Sequence, residues 1–484
     1  MFMNRSPTAR ASTGVPGLDD VLDGGLPRNR AYMLRGGPGS GKTILGEHFL
    51  TANDDDTSLF VSLEESETNL RENAASVGVD IDDVIVLDYS PDPDAFAENG
   101  TYDVFDPGDR GQSLSEGIKD AVDEHDPDRV FVDPLTRLRQ FAPDDARFYE
   151  EVGSFTSYVR HSDATLLFTT QPTQAAPDED LEFLSDGSIE LGEASKGRTL
   201  TVGKLRGSSF QRGAHTVRID ADGFHLHPRL VPSVSTREYD ATMLSTGVPA
   251  FDDMLGGGIS PGTVTVVSGA SGVGKSTTAA QLSIAAAERG ERAVSYLFEE
   301  SKDTFTHRSQ SIGMPVERLV ETELLELREV EALTISPDEF AAEVRSEVEE
   351  NDASVVVLDG ISGYRMSIRG EEDDLVRELH ALCRYLRGMG VTTVLLDDVA
   401  RVTGDFEPTS DRISYLADNI VFLRYIEYRG EIRKAAGVLK KRSSDFERTL
   451  REFDITSDGI QFGDPLTDLR GILTGTPEWP ETDG

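Results

Sequence analysis

The sequence predicts an α/β protein of two tandem duplicated domains, each with a mainly parallel central sheet flanked by helices. Three observations lead there. The pattern G-x-x-x-x-G-K-[ST] occurs twice, as Gly36-Gly37-Pro38-Gly39-Ser40-Gly41-Lys42-Thr43 and as Gly269-Ala270-Ser271-Gly272-Val273-Gly274-Lys275-Ser276. Each copy follows a short apolar run and precedes a helical pattern: 31–35 then 43–52, and 263–268 then 276–287. Both copies belong to a larger repeat: Ser12-Thr13-Gly14-Val15-Pro16 returns as Ser245-Thr246-Gly247-Val248-Pro249, 233 positions on, and Lys42 to Lys275 is 233 again.

The residue types explain the loops. Glycines let backbone N–H groups turn inward and form a nest for phosphate oxygens. Lys42 and Lys275 add a mobile positive charge at the β- and γ-phosphates, and Thr43 and Ser276 offer a hydroxyl to Mg²⁺. The helix that follows aims its positive end at the anion. Two copies in the same strand–loop–helix setting make a chance match untenable. The expected ligands are therefore ATP and Mg²⁺ in each half.

Beyond each helix a further strand is expected, at 58–63 and 293–298, and each runs into two glutamates, Glu64-Glu65 and Glu299-Glu300. Parallel strands end at the edge where α/β sites lie. A carboxylate there can polarise a water that attacks the γ-phosphate. Residues 82–90 read as another strand, 91–111 as a long loop rich in Pro, Gly and Asp, and 114–124 as an amphipathic helix. Arg129-Val130-Phe131-Val132-Asp133 is a hydrophobic strand ending in aspartate, repeated as Val355-Val356-Val357-Leu358-Asp359. Downstream of a phosphate loop, Asp133 and Asp359 are the expected Mg²⁺ partners of Thr43 and Ser276. Helices at 148–161 and 373–389 lead to strands at 165–169 and 392–396. Their polar ends, Thr170-Gln171 and Asp397-Asp398, are candidates to sense the γ-phosphate. Each half closes on a β-rich stretch, 188–225 and 419–462. The resulting division is a first domain at 1–230, a linker at 231–242, a second domain at 243–470 and a short polar tail at 471–484.

Composition narrows the setting. At 484 residues the chain exceeds one ordinary core. Its 88 acidic against 47 basic residues give a net charge of −41, spread along the whole chain rather than gathered in a tail. Such a surface repels nucleic-acid phosphate and anionic membranes. We read it as the solvation strategy of a halophile's high-salt cytoplasm, where a Debye length of about 3 Å or less tames self-repulsion. Cys383 is the single cysteine, which excludes an internal disulfide and argues against a cysteine zinc site. The first ten residues lack the apolar core of a signal peptide, and no apolar run approaches bilayer length. A soluble, cytoplasmic protein is expected.

With these pieces in place, the chain resembles the KaiC family of circadian-clock ATPases and its RecA-like P-loop NTPase relatives, through both halves. The resemblance rests on the paired loops, the Glu-Glu pairs and the strand aspartates. It rests also on Lys204-Leu205-Arg206-Gly207-Ser208-Ser209 and Lys440-Lys441-Arg442-Ser443-Ser444. It implies a homo-oligomeric ring, a hexamer, with ATP at subunit boundaries and regulatory protein partners. It implies ATPase activity in the first half, and ATPase with serine autokinase activity in the second. Lys204, Arg206, Lys440 and Arg442 would complete ATP sites of a neighbouring subunit; in a strand, period-two alternation would put each pair on one face. The family's phosphorylated Ser-Thr pair corresponds to Ser414 and Tyr415, so only Ser414 keeps its hydroxyl type. Lys441 and Ser443 flank Arg442 where the family has an apolar residue and glycine, and 463–484 carries no recognisable partner-binding extension. Two other readings compete: a recombinase- or helicase-like motor on DNA, against which the acidic balance stands, and a nucleotide-gated scaffold without turnover, against which the intact glutamate pairs stand.

Overall fold

The computed structural model describes residues 9–91, 107–171, 178–194, 197–231, 242–331, 333–368, 372–399, 409, 413–428 and 430–467. The chain divides into two compact units, Met1–Arg229 and Leu230–Gly484. The strands of the first are β1 (Arg10–Ala11), β2 (Leu26–Pro27), β3 (Ala31–Gly36), β4 (Ser58–Ser62), β5 (Ile85–Asp88), β6 (Arg129–Asp133), β7 (Thr165–Thr170), β8 (Gly187–Ala194), β9 (Gly197–Leu205), β10 (Ala214–Asp220) and β11 (Gly223–His227). Those of the second are β12 (Val264–Gly269), β13 (Arg292–Leu297), β14 (Leu325–Glu329), β15 (Ala353–Asp359), β16 (Thr392–Asp398), β17 (Asn419–Tyr428), β18 (Glu431–Lys441), β19 (Arg451–Thr456) and β20 (Gly459–Pro465).

Each unit holds one nine-stranded sheet with the same topology. The orders are β11-β10-β9-β8-β3-β7-β6-β4-β5 and β20-β19-β18-β17-β12-β16-β15-β13-β14. From β8 to β5, and from β17 to β14, neighbouring strands are parallel. The last three strands of each unit add on as an antiparallel meander. The parallel strands are apolar on successive residues because helices cover both faces. Tyr32 and Leu34 of β3 pack into one core cluster and Ala31 and Met33 into the other. In β15, Val355 and Val357 face one cluster and Val356 and Leu358 the opposite one.

Some expectations need correction. The strand expected at 82–90 is confined to Ile85–Asp88, and the loop expected to 111 gives way at Pro107 to helix Pro107–His125. Proline suits a first helical turn, where its missing N–H costs nothing. In the second unit, β14 and helices Val316–Glu321 and Pro337–Glu349 lie between elements that were expected. The last of these opens on a capping box, with Ser336 and Glu339 exchanging side-chain and backbone bonds and Pro337 in the first turn. Residues 232–241 of the expected linker, 92–106 of the expected loop and the tail at 471–484 lie outside the described residues.

The repeated Ser-Thr-Gly-Val-Pro opening is a clamp. Asp19 accepts hydrogen bonds from Ser12 Oγ (2.6 Å), the Thr13 amide (2.8 Å) and Thr13 Oγ1 (2.7 Å). Asp252 repeats this with Ser245 Oγ (2.5 Å), the Thr246 amide (2.7 Å) and Thr246 Oγ1 (2.7 Å). Each aspartate lies in a short helix with proline in its first turn, Pro16–Val21 or Pro249–Met254. The clamp thus fixes how the chain enters its unit. Hydrogen bonds to a charged acceptor are worth about 1.5–3 kcal/mol each, with overlap between them. Asp19→Ala and Asp252→Ala should therefore each destabilise their own unit by about 2–4 kcal/mol in equilibrium denaturation. A loss below about 0.5 kcal/mol would show that the clamp carries no fold energy.

Candidate functional site

Each loop joins the carboxyl end of a central strand, β3 or β12, to a helix, Lys42–Leu50 or Lys275–Glu288. Gly41 and Gly274 start these helices with φ of 98° and 119°, in the left-handed region. A Cβ there would also lie 2.5 Å from Ile219 or 2.7 Å from Ile455. Only glycine meets both demands. A cleft of about 510 Å³ opens above the first loop and one of about 460 Å³ above the second. Both volumes suit a nucleotide-sized ligand.

The strand ends bring the expected acids into these clefts. Thr43 Oγ1 donates to Asp133 Oδ2 at 2.5 Å, and Ser276 Oγ donates to Asp359 Oδ1 at 3.0 Å. Asp133 also accepts from the Thr169 hydroxyl. Asp359 Oδ2 is buried without a hydrogen-bond partner among the described residues. Burial pushes the Asp359 carboxyl up to about 7, against the bond from Ser276. A buried carboxylate with an open oxygen beside a loop hydroxyl is the donor set a hard cation takes.

Glu64, Glu65, Glu299 and Glu300 all line their own clefts, and the two members of each pair have different partners. Glu65 accepts from Asn73 Nδ2 at 3.1 Å, and Glu300 pairs with Arg308 at 2.6 Å. These partners lie on the helix after the glutamates, Glu67–Ser76 or Lys302–Ser311. Glu64 instead lies 3.8 Å from Arg137, on the turn after β6. Glu299 accepts from the Gly363 amide; burial first, then the charge of Asp398, holds its carboxyl above the usual range.

The loop lysines are buried. Lys42 donates to the Gly36 and Gly37 carbonyls at 2.9 and 2.8 Å. Burial lowers its pKa, with Asp133 and Glu64 opposing. Lys275 donates to the Ala270 carbonyl at 3.1 Å and to Asp398 Oδ1 at 2.6 Å. Of the four strand-end polar residues expected to sense phosphate, Gln171 and Asp398 line the clefts. Thr170 is fully buried and donates to Asp178 at 2.5 Å, and Asp397 is fully buried. Strand alternation separates the members of each pair.

Comparison with known proteins identifies the family. The family model described as "ATPase: KaiC" matches residues 11–231 and again 244–467. The chain belongs to the KaiC family. It is 27% identical to the "Circadian clock oscillator protein KaiC" of Acaryochloris marina (strain MBIC 11017), over 98% of this chain and 92% of that protein. The protein of the same name from Parasynechococcus marenigrum (strain WH8102) is 28% identical over 97% of this chain and 93% of its own. "Circadian clock oscillator protein KaiC 1" of Synechocystis sp. (strain ATCC 27184 / PCC 6803 / Kazusa) is 27% identical over 98% and 92%. Membership makes the chain a nucleotide-binding ATPase homologue of the RecA-like P-loop type, in tandem. Among the described residues no helix is long and apolar enough to cross a membrane.

The KaiC-like basic motifs lie outside the clefts of their own units. Lys204 Nζ donates to the Glu182 and Ser185 carbonyls at 2.5 and 2.8 Å, and Arg206 lies 3.9 Å from Asp186. Lys440 Nζ donates to the Ser414 and Ala417 carbonyls at 3.0 and 2.7 Å, and Arg442 lies 3.3 Å from Asp418. The alternation argument for these pairs needs correction. β9 ends at Leu205 and β18 at Lys441, so each arginine lies just beyond its strand. What draws lysine and arginine together is the helix end and turn before β8, or the turn before β17, which supply their carbonyls and carboxylate. Ser414 and Tyr415 lie on the second of these turns and are exposed.

Besides Arg308, two further cleft cations escaped the sequence reading. Arg198 of β9 lines the first cleft and Lys434 of β18 the second. They are 236 positions apart, as are Lys204 and Lys440, and that shared spacing was the available signal. Register shifts leave Gly203 and Leu439 as extra residues, so Lys204 and Lys440 turn to the opposite face of the sheet from Arg198 and Lys434. Ile219 and Ile455 add an apolar wall.

Glu47 was missed as well. It lies one turn past Thr43, lines the first cleft and is 1% exposed, with Oε1 unpartnered among the described residues. Burial, with the charges of Asp133 and Glu65 adding, raises its pKa to about 8. The folded chain therefore keeps this proton in a range where the unfolded chain, near 4.5, has lost it. Its contribution is full below about pH 4.5 and is lost as pH rises through about 8. Without nucleotide or metal, the denaturation midpoint should fall between pH 5.5 and 8, and Glu47→Gln should narrow that fall. An unchanged fall in the variant would contradict the assignment.

Proposed function

We propose that the chain is an ATP-hydrolysing ring subunit with one site in each unit, serving a timing or other regulatory role like its clock relatives. The observation that carries this is a convergence made twice: loop lysine, loop hydroxyl, strand aspartate and strand-end glutamate meet in one cleft. Inward amides of Gly36, Gly37, Gly39, Ser40 and Gly41, and of Gly269, Ser271, Gly272 and Gly274, hold the phosphates together with Lys42 or Lys275. Thr43 with Asp133, and Ser276 with Asp359, would hold Mg²⁺, which when bound supplies charge neutralisation at the β- and γ-phosphates. Arg198 and Lys434 add a cation from within the same unit.

The glutamate pairs divide the work. Glu64 and Glu299 are the general bases, since each lies close enough to its loop lysine for their charges to interact. Glu65 and Glu300 are positioning residues, tied to the next helix through Asn73 and Arg308. Lys204, Arg206, Lys440 and Arg442 reach the cleft of an adjacent subunit in a ring of six. In support, none lines its own cleft, and the side chains of Arg206 and Arg442 are each 52% exposed. Ser414 is the phosphoacceptor. Its backbone carbonyl is bonded by Lys440, so the motif that reaches across the boundary would carry Ser414 with it. Its Oγ would attack the γ-phosphorus, ADP would leave, and the hydroxyl proton would pass to a second-unit glutamate of the neighbour. Regulatory proteins read the state of the ring.

In a Glu299→Gln, Glu300→Gln background, Glu64→Gln should cut the remaining turnover by about 10²–10⁴-fold with ATP still bound, and Glu65→Gln should cost less. Full turnover in Glu64→Gln would remove it as base. Mixing Lys42→Ala with Arg206→Ala subunits in that background should restore part of the activity lost by each; mixed rings that assemble without recovery would contradict the trans assignment. Label from γ-³²P-ATP should be lost in Ser414→Ala, and its persistence would exclude that serine. Assembly and turnover should rise between about 0.1 and 2 M KCl if the acidic surface is built for salt.

A further inference from the structure

Among the repeat-equivalent positions at which the two clefts differ, one lies at the end of a central strand. In the first sheet, Arg35 of β3 sits opposite Thr170 of β7, and the next residue is Gln171. In the second, Ser268 of β12, which lies 233 positions after Arg35, sits opposite Asp397 of β16. The next residue there is Asp398. Gln171 and Asp398 both line their clefts. An amide thus stands in the first unit where a carboxylate stands in the second.

The loop lysines respond to this difference. Lys42 bonds only to carbonyls of its own loop, whereas the Lys275 ammonium lies 2.6 Å from Asp398 Oδ1. That pair is largely withdrawn from water, with side chains 8% and 26% exposed. Charge-assisted bonds of this length are the strong ones. A loop lysine exists to meet β- and γ-phosphate oxygens, so the Asp398 oxygen stands where a phosphate oxygen would make its bond. Arg308 of the second cleft is committed to Glu300 at 2.6 Å. Each cleft has one further basic residue from its meander, Arg198 in the first and Lys434 in the second, so these do not offset the difference between Gln171 and Asp398. An ionised carboxylate has no proton to donate to a phosphate, while the Gln171 amide has two.

We propose that Asp398 is a specificity-determining residue that makes the second cleft discriminate against a triphosphate relative to a diphosphate. This rests on reading both clefts as nucleotide sites. Asp398 competes with the terminal phosphate for Lys275 and repels it. A diphosphate carries about one negative charge fewer than a triphosphate and has no γ-phosphate to compete with the aspartate for Lys275. One chain then loads its two sites unequally. The first fills with ATP readily, and the second holds ADP until ATP is in excess.

The test uses the full chain and isolates one site at a time. In a Lys42→Ala background, equilibrium dialysis in Mg²⁺ buffer measures ADP and the non-hydrolysable analogue AMP-PNP at the second site. A Lys275→Ala background does the same for the first. The ratio of dissociation constants, AMP-PNP over ADP, should be about tenfold or more higher at the second site. Asp398→Gln, or the near-isosteric Asp398→Asn, should lower that ratio about tenfold by tightening AMP-PNP and leave ADP within about twofold. Gln171→Asp should raise the ratio at the first site. Unchanged ratios in these variants, with ADP still bound, overturn the role of Asp398 and leave the nucleotide-site reading standing. Failure of the second site to bind either nucleotide, while each variant shows the wild-type circular dichroism spectrum and unfolding midpoint, overturns both.

Discussion

The site depends on a single contact made twice: the first-turn hydroxyl of the loop helix against the aspartate at a strand end. Thr43 with Asp133 and Ser276 with Asp359 join segments about 90 residues apart in sequence. The contact is possible because the strands are parallel. β3 and β6 flank β7, and β12 and β15 flank β16, so each loop and its aspartate leave the same edge about 10 Å apart. A helix starting at that edge spans the gap with its first turn. Were β3 and β6, or β12 and β15, antiparallel to each other, one of the two groups would leave at the far edge. The long apolar runs, buried on both faces, are therefore a condition of the chemistry as well as of the core.

That edge gathers more charge than a folded chain holds easily. Lys42 and Lys275 are both buried, and each is bonded within its own unit, Lys42 to two carbonyls and Lys275 to a carbonyl and a carboxylate. Asp359 and Glu47 keep protons that solvent-exposed acids would give up, because burial penalises their charged forms. Binding of a polyanion and a cation would remove these penalties together, so ligand binding and stability are expected to be coupled.

What was legible in the sequence was local. The loops, the strand-ending aspartates, the glutamate pairs and the repeat spacing each sit within a few residues or at one fixed offset. Their residue types follow from phosphate chemistry. The 236-residue spacing of Arg198 and Lys434 was in the sequence, but which basic residues face the cleft was not, because a bulge at Gly203 or Leu439 turns Lys204 and Lys440 to the other face and no rule of alternation foresees it. Glu47 was hidden because a glutamate inside a helix normally points to solvent. Here the loop helix is so enclosed that its acid has nowhere else to go. The Lys204 and Arg206 pairing was reached by a wrong step, since the strand stops before the arginine, and the carbonyls of a distant turn do the gathering. Asp398 was legible as a polar strand end, but its grip on Lys275 belongs to the folded sheet.

Two working nucleotide sites per chain is the central claim, and counting bound nucleotide tests it most directly. Native mass spectrometry, or dialysis against labelled AMP-PNP at saturation, should give two nucleotides per chain for the wild type. It should give one for Lys42→Ala or Lys275→Ala and none for the double variant. Two nucleotides retained by the double variant, or one at most by the wild type, would contradict the account.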